Sequence, residues 1–222
     1  MHGKTEIYKK ITGEQKFNKQ DRDNMRKLKL QVQMSIDGFI AGNNGEMDWM
    51  IWNWDDEIKK YVRELTEPID CIIMGKNLAI GFIPYWGKVA SNPDDLQYPF
   101  GKKMTDTHKV VFTRTLDKSE WDNTVLAKGD LIEEVNNLKQ QTGKDIIAYG
   151  GATFVSSLIK ARLIDDFHLF INPTALGAGM SIFKEMDAKQ NFILKKTMAF
   201  ECGIALLQYE KNNQLLTNKS KE

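Results

Sequence analysis

One junction constrains this chain more than any other: Ile146-Ile147-Ala148-Tyr149-Gly150-Gly151-Ala152-Thr153-Phe154. An apolar run ends at two adjacent glycines, and a helical apolar pattern starts directly after them. That pattern predicts a strand, a tight turn and a helix start. The first N–H groups of a helix have no partner inside it, and the helix dipole adds partial positive charge there. Glycine at the turn lets an anion come close to the backbone, so the segment can hold a phosphate or diphosphate. The glycines can equally serve only the backbone angles of the turn. The residues alone leave both readings open.

Strands and helices alternate around this junction. Residues 28–34 alternate apolar and polar at period two and read as a strand. Asp37-Gly38 and Gly42-Asn43-Asn44-Gly45 carry turn chemistry. Residues 55–65 form an amphipathic helix, with Asp55 and Asp56 in its first turn and Ile58, Tyr61, Val62 and Leu65 on one face. Residues 69–74 read as a buried strand stopped by Gly75, and 109–113 as a short one. Residues 130–141 and 152–161 read as helices, 167–171 as a strand, and 191–200 with 203–210 as a closing hairpin. The segment 81–107, with Pro84, Pro93, Pro99, Gly87 and Gly101, is expected to be loop-rich and could act as a lid or a specificity element. Strands separated by helices predict an α/β fold with three layers. Its sheet would be mostly parallel, and the hairpin would add antiparallel strands at one edge. Ligands bind such sheets at the carboxyl ends of the strands. That rule gathers the loops after Met34, Met74, Phe112 and Tyr149.

Residues 1–27 are polar and mixed in charge, which predicts a flexible extension. Met25 stands where the compact domain would start. The expected organisation is an extension over 1–27, one domain over 28–211 and a polar tail over 212–222. A formal net charge of +1 gives no field to gather nucleic acid. No apolar run would span a bilayer, and the first residues lack the apolar core of a signal peptide, so a cytoplasmic protein is expected. Cys71 and Cys202 are expected as buried, reduced thiols. His2, His108 and His168 show no ligand spacing, and no metal is expected.

Several segments together resemble the dihydrofolate reductase superfamily, and most closely its branch of reductase domains like the C-terminal half of the bifunctional riboflavin-biosynthesis deaminase-reductase. They are Met34-Ser35-Ile36-Asp37-Gly38-Phe39-Ile40-Ala41, Ile72-Ile73-Met74-Gly75-Lys76, Val111-Phe112-Thr113-Arg114, Tyr149-Gly150-Gly151-Ala152, Leu163-Ile164-Asp165-Asp166-Phe167 and Pro173-Thr174-Ala175-Leu176-Gly177-Ala178-Gly179. The resemblance covers about residues 28–209. It implies a dihydrofolate-reductase-like α/β/α domain, NADPH as cofactor, and hydride transfer to a small heterocycle of pterin, pyrimidine or aminouracil type at a C=N or C=O group. It also implies that the diphosphate lies against the Gly150-Gly151 turn. The first strand is followed by no G-x-G-x-x-G, so the ordinary dinucleotide fold does not apply.

The candidate cofactor residues are Gly75, Lys76, Thr113, Arg114, Gly150, Gly151, Ala152, Thr153, Leu176 and Gly177. Arg114 and Lys76 are the cations suited to a 2′-phosphate, or else solvated surface charges. Thr153 offers a hydroxyl to the diphosphate, or caps its helix. Asp37 and Asp48 are the candidate catalytic carboxylates. Asp37 would contact substrate or relay a proton, or else it belongs to a plain Asp-Gly turn. Trp49, Trp52 and Asp56 are the candidate substrate residues, with the tryptophans placed to wall a flat ring or to sit as loop aromatics. A nucleotide-binding protein without reductase activity and a protein that uses the fold only for assembly are the alternatives. A homodimer paired through sheet edges is also expected.

Overall fold

The strand that alternates most cleanly in the sequence becomes the middle of the sheet. In the computed structural model, which describes residues 25–212, β1 (Leu28–Ser35) lies between β5 (Asp145–Tyr149) and β6 (Asp166–Asn172), parallel to both. The remaining elements are α1 (Asp56–Thr66), β2 (Ile69–Gly75), α2 (Lys76–Ala90), α3 (Tyr98–Asp106), β3 (His108–Phe112), β4 (Thr124–Ala127), α4 (Leu131–Gln140), α5 (Ala152–Lys160), β7 (Phe192–Ala199) and β8 (Ala205–Lys211). Sheet order is β4-β3-β2-β5-β1-β6-β8-β7. The first six positions are parallel, and β8 and β7 run antiparallel at one edge. This is the three-layer α/β/α architecture that the alternation predicts.

Period two sorts the sheet into two cores. On one face Leu28, Leu30, Val32 and Met34 of β1 join Ile73, Ile146 and Ala148 under α4 and α5. On the other face Ile72, Met74, Ile147, Phe170 and Leu206 lie under α1, α2 and α3. The helix after β2 therefore covers one face and the helix after the neighbouring β5 covers the other. Adjacent strands whose connections leave in opposite directions open a crevice at their carboxyl ends. Gly75 and Gly150-Gly151 flank that crevice.

The region expected to be loop-rich is instead largely two helices, α2 and α3. Prolines misled the reading. Pro99 sits in the first turn of α3, where its missing N–H costs nothing. Pro84 lies inside α2 on the exposed side, while Ala79, Phe82, Ile83 and Trp86 pack inward and outweigh it. Gly101 is a packing residue, since a Cβ there would sit 2.6 Å from Val89 Cγ1. The short edge strand β4 went unread because its four residues half-expose Val125 and have no clear alternation.

Two buried cations close chain ends that the pattern could not show. Lys109 Nζ donates to the carbonyls of Met104, Thr105 and Thr107 at 3.1, 2.8 and 2.7 Å, closing the C-terminal end of α3. Arg26, expected in the polar extension, is buried instead. It pairs with Asp70 and donates to the Lys144 and Leu138 carbonyls, so the fold begins before residue 28. The rest of the expected extension (1–24) and nearly all of the expected tail (213–222) lie outside the described residues.

Among the described residues no helix is long and apolar enough to cross a membrane. Among them, too, no group of three His, Cys, Asp or Glu side chains could hold a metal ion. Cys71 is buried, and burial pushes its thiol up to about 11. Cys202 is half-buried in the turn between β7 and β8.

Pro84 tests how far packing overrides propensity. In a helix interior, proline is about 3 kcal/mol worse than alanine, and part of that is returned by the stiffer unfolded chain. Pro84→Ala is expected to raise stability by about 1–3 kcal/mol in urea unfolding. An unchanged or lower midpoint would mean that α2 needs the proline's shape.

Candidate functional site

The carboxyl edge of the sheet is uneven in how it treats its helix starts. Asp55 caps α1 by accepting from Ile58 N at 2.9 Å. Asp130 caps α4, accepting from Ile132 N and Glu133 N at 2.9 and 3.2 Å. The N-caps of α2 and α5 are Gly75 and Gly151, and neither offers a side-chain hydrogen bond. These two helices start from the adjacent strands β2 and β5. Their first-turn N–H groups are therefore left for a ligand or water at the crevice.

The two glycines have different reasons. Gly151 has φ +126°, which L side chains rarely adopt, and an added Cβ would meet nothing within 4 Å. The backbone demands glycine there, and the space above it is open. At Gly75 a Cβ would lie 3.1 Å from Phe154 Cβ, so this glycine lets β2 close against the first turn of α5. Gly150 has only ordinary contacts, with its Cβ position 3.8 Å from Ile40 Cδ1. Ala152 is buried, whereas Thr153 is exposed. No hydrogen bond holds the Thr153 hydroxyl among the described residues, so it does not cap α5.

Thr113 follows β3 and folds the next turn: its hydroxyl accepts from Thr115 N and Leu116 N, both at 3.1 Å. That turn exposes Arg114, which has no carboxylate partner among the described residues. Lys76 Nζ donates to Thr115 Oγ1 at 2.8 Å, so the start of α2 is tied to the turn that carries Arg114. The structure thus gathers Gly75, Lys76, Thr113, Arg114 and the 150–153 turn along three neighbouring strand ends.

On the other side of β5, Asp37 is both a turn residue and a clamp. Gly38 has φ +90°, and its N–H donates to Ser35 O at 3.1 Å. The Asp37 carboxylate accepts from Ser35 Oγ at 2.6 Å, from Leu176 N at 3.0 Å and from Gly177 N at 2.7 Å. The Ser35 hydroxyl, then the Gly177 and Leu176 N–H groups, hold this carboxyl below the usual Asp range. Asp37 therefore stays ionised at neutral pH. It also occupies the N–H groups of Leu176 and Gly177 and so fastens the loop that carries them. The same two loops are joined by Ile40 N to Met180 O and Met180 N to Ala41 O, both 2.9 Å.

Residues 47–54 fold over the end of β6. Trp54 stacks on Phe170, with ring centroids 6.4 Å apart and planes 9° apart, and Trp52 stacks on Trp54 at 6.5 Å. Trp49 Nε1 donates to Glu46 O at 3.1 Å and holds its own loop. Asp48 is exposed in that loop. Asp56 is not brought into the group: its side chain is fully exposed and lies 3.5 Å from Lys59 Nζ. Its neighbour Asp55 is the cap, and its second oxygen accepts from Cys202 N at 3.0 Å, fastening α1 to the β7–β8 turn.

Two residues, Asn172 and Gln33, were missed in the sequence. Asn172 at the end of β6 is wholly buried. Its Oδ1 accepts from Ile51 N at 2.9 Å and its Nδ2 donates to Gln33 Oε1 at 3.0 Å. The available signal was the polar set Lys29, Gln31, Gln33 and Ser35. Period two suggests that such a set faces water, yet a central strand covered on both faces has no such side. Deeper in the sheet, Tyr149 donates its hydroxyl hydrogen to Gln31 Oε1 at 3.2 Å. Tyr61 and His168 Nδ1 share a 2.7 Å hydrogen bond, and burial pushes His168 down to about 4.

Comparison with known proteins shows the family of this fold. Residues 26–206 match the family model of the RibD C-terminal domain. The chain belongs to the RibD C-terminal domain family. Over 190 residues it is 34% identical to the uncharacterized protein YyaP of Bacillus subtilis (strain 168), covering 84% of this chain and 96% of that protein. The RibD-type fold is shared with a diaminohydroxyphosphoribosylaminopyrimidine deaminase/5-amino-6-(5-phosphoribosylamino)uracil reductase of Thermotoga maritima, at 16% identity and TM-score 0.62, over 86% of this chain and 58% of that one. It is also shared with dihydrofolate reductase of Enterococcus faecalis complexed with NADP(H), at 15% identity and TM-score 0.55, over 85% and 99% of the two chains.

The Asp37 clamp carries a pH signature. Its folded pKa lies below its unfolded value, so its contribution is present above about pH 4 and is lost as pH falls through the lower folded value. Asp37→Ala is expected to melt below the wild type at pH 7, with the gap closing as pH falls below 4. Thermal melts across that range test this, and a gap that is independent of pH would contradict it.

Proposed function

We propose that this protein is an NADPH-dependent reductase that transfers hydride to a C=N or C=O group of a small heterocycle of pterin, pyrimidine or aminouracil type. The observation that carries this reading is the pair of helix starts without side-chain caps, α2 and α5, on adjacent strands whose connections part to opposite faces. A dinucleotide diphosphate fits such a crevice, because N–H groups and helix dipoles from two directions meet its charge. Two members of the fold are named in keeping with it: a uracil reductase and a dihydrofolate reductase complexed with NADP(H).

Each part of the chain has a task in this reading. Backbone N–H groups at Lys76, Asn77, Ala152 and Thr153 would hold the diphosphate, and the Thr153 hydroxyl is free to add a bond. Arg114 and Lys76 would take the 2′-phosphate, Arg114 through paired hydrogen bonds and Lys76 as a point charge. Bound NADPH supplies the hydride. The Trp52–Trp54–Phe170 stack would wall the heterocycle and exclude water. Asp37, held ionised by three donors, positions the 174–180 loop. The product's proton comes from Asp48 or from water. Catalysis is then mostly orientation within a closed site.

The cofactor assignment has a direct test. NADPH should raise the melting temperature more than NADH does, and Arg114→Ala should remove most of the difference. Loss of a charge-assisted contact to the 2′-phosphate should weaken NADPH binding by about tenfold to a hundredfold while NADH binding stays the same. Equal shifts from the two cofactors would contradict the 2′-phosphate assignment. NADPH that binds but is oxidised by no pterin, pyrimidine or aminouracil would leave a nucleotide-binding protein without reductase activity.

A further inference from the structure

Towards the end of its polar face β1 carries a carboxamide, Gln33, whose orientation is dictated from outside. Gln33 is half-buried on the α1–α3 side of the sheet, beside Phe170, its register partner on β6. It lies two residues beyond Gln31, which pairs with Tyr149, and so is level with the Gly150-Gly151 turn. Trp54 stacks on that same Phe170. Gln33 therefore stands between the proposed diphosphate crevice and the aromatic wall.

A chain of three hydrogen bonding groups sets which way its amide points. Ile51 N–H can only donate, so the Asn172 atom 2.9 Å from it must be the acceptor Oδ1. The other side of the Asn172 amide is then the donor Nδ2. The Gln33 atom 3.0 Å from it must accept, and is Oε1. This leaves Gln33 Nε2 turned away from Asn172. Among the described residues Nε2 has no hydrogen-bond partner, and it is not among the sealed, unpartnered polar atoms. Asn172 is wholly buried, so the chain cannot be reversed by a rotation of its amide without stranding the Ile51 N–H.

We infer that Gln33 is a specificity-determining residue that presents two N–H donors to the substrate and selects a ring edge carrying a carbonyl oxygen. The inference rests on the reductase reading of the same site. Asn172 and Ile51 act through Gln33 and are positioning residues. A ring that offers an amino group at this edge would face donor against donor and lose the bond. The aromatic loop and the amide are coupled, because the Ile51 N–H that orients Asn172 belongs to the loop that carries Trp52 and Trp54. A substrate bound under that loop would thus meet a donor whose direction the loop itself maintains.

The test uses the full chain with NADPH present and two probes of opposite edge chemistry, uracil and 2,4-diaminopyrimidine, followed by tryptophan fluorescence. Gln33→Glu replaces the donors by an acceptor oxygen and keeps an oxygen for Asn172. Gln33→Met keeps the length and removes both polar atoms. Wild type should prefer uracil. Gln33→Met should bind uracil about tenfold more weakly. Gln33→Glu should reverse the preference towards 2,4-diaminopyrimidine. A wild type that does not prefer uracil, or variants that keep its preference, would overturn the role of Gln33. The thermal shift by NADPH is read on the same samples. If all three proteins keep it while the probes fail to discriminate, only the Gln33 assignment falls. If it is absent from all three, the reductase reading itself falls.

Discussion

Every helix begins with N–H groups that its own ladder cannot satisfy, and this requirement organises the carboxyl edge of the sheet. At four helix starts the chain meets it in two ways. At α1 and α4 an aspartate turns back and caps the helix. At α2 and α5 glycine replaces the cap, so the requirement passes to whatever occupies the crevice between β2 and β5. The second solution forgoes little stability at two helix starts, since glycine in place of a capping side chain costs only about a few tenths of a kcal/mol. It gains two sites of converging positive potential. Lys76, Thr115 and Arg114 extend that potential along the end of β3.

A second constraint acts on the other side of β5. Putting β1 in the middle of the sheet buries a face that carries Gln31, Gln33 and Ser35, and buried polar groups need partners. Those partners stand at the carboxyl ends of β1, β5 and β6. Tyr149 meets Gln31, Asn172 meets Gln33, and Asp37 meets Ser35. Two of these links also fasten a loop: Asn172 holds the loop of Trp52 and Trp54 through Ile51, and Asp37 holds the 174–180 loop through Leu176 and Gly177. The polarity of one strand thus fixes where two loops close.

Much of this was legible in the residues. The Gly150-Gly151 junction announced a strand, turn and helix, and the alternation of elements announced the three layers. What the sequence could not show was which face of a strand meets water. Gln33 and Asn172 went unread for that reason: a polar alternate position is ordinary on a solvated sheet and meaningful only once β1 is known to be central. Asp37 was read as either a turn or a functional carboxylate. It is a turn residue that also clamps, because its partners at 176 and 177 lie far along the chain. The 81–107 segment was misread because proline and glycine were weighed by local propensity, while tertiary packing of α2 against α3 decided the outcome.

The central claim is that the open N-termini of α2 and α5 together hold a dinucleotide diphosphate. The most direct measurement is a titration of the protein with NADPH, following its backbone amide resonances. The account predicts that the amides of Lys76, Asn77, Ala152 and Thr153 shift most and saturate together, while those of the capped starts of α1 and α4 stay in place. Saturable NADPH binding that leaves those four amides unmoved would contradict it.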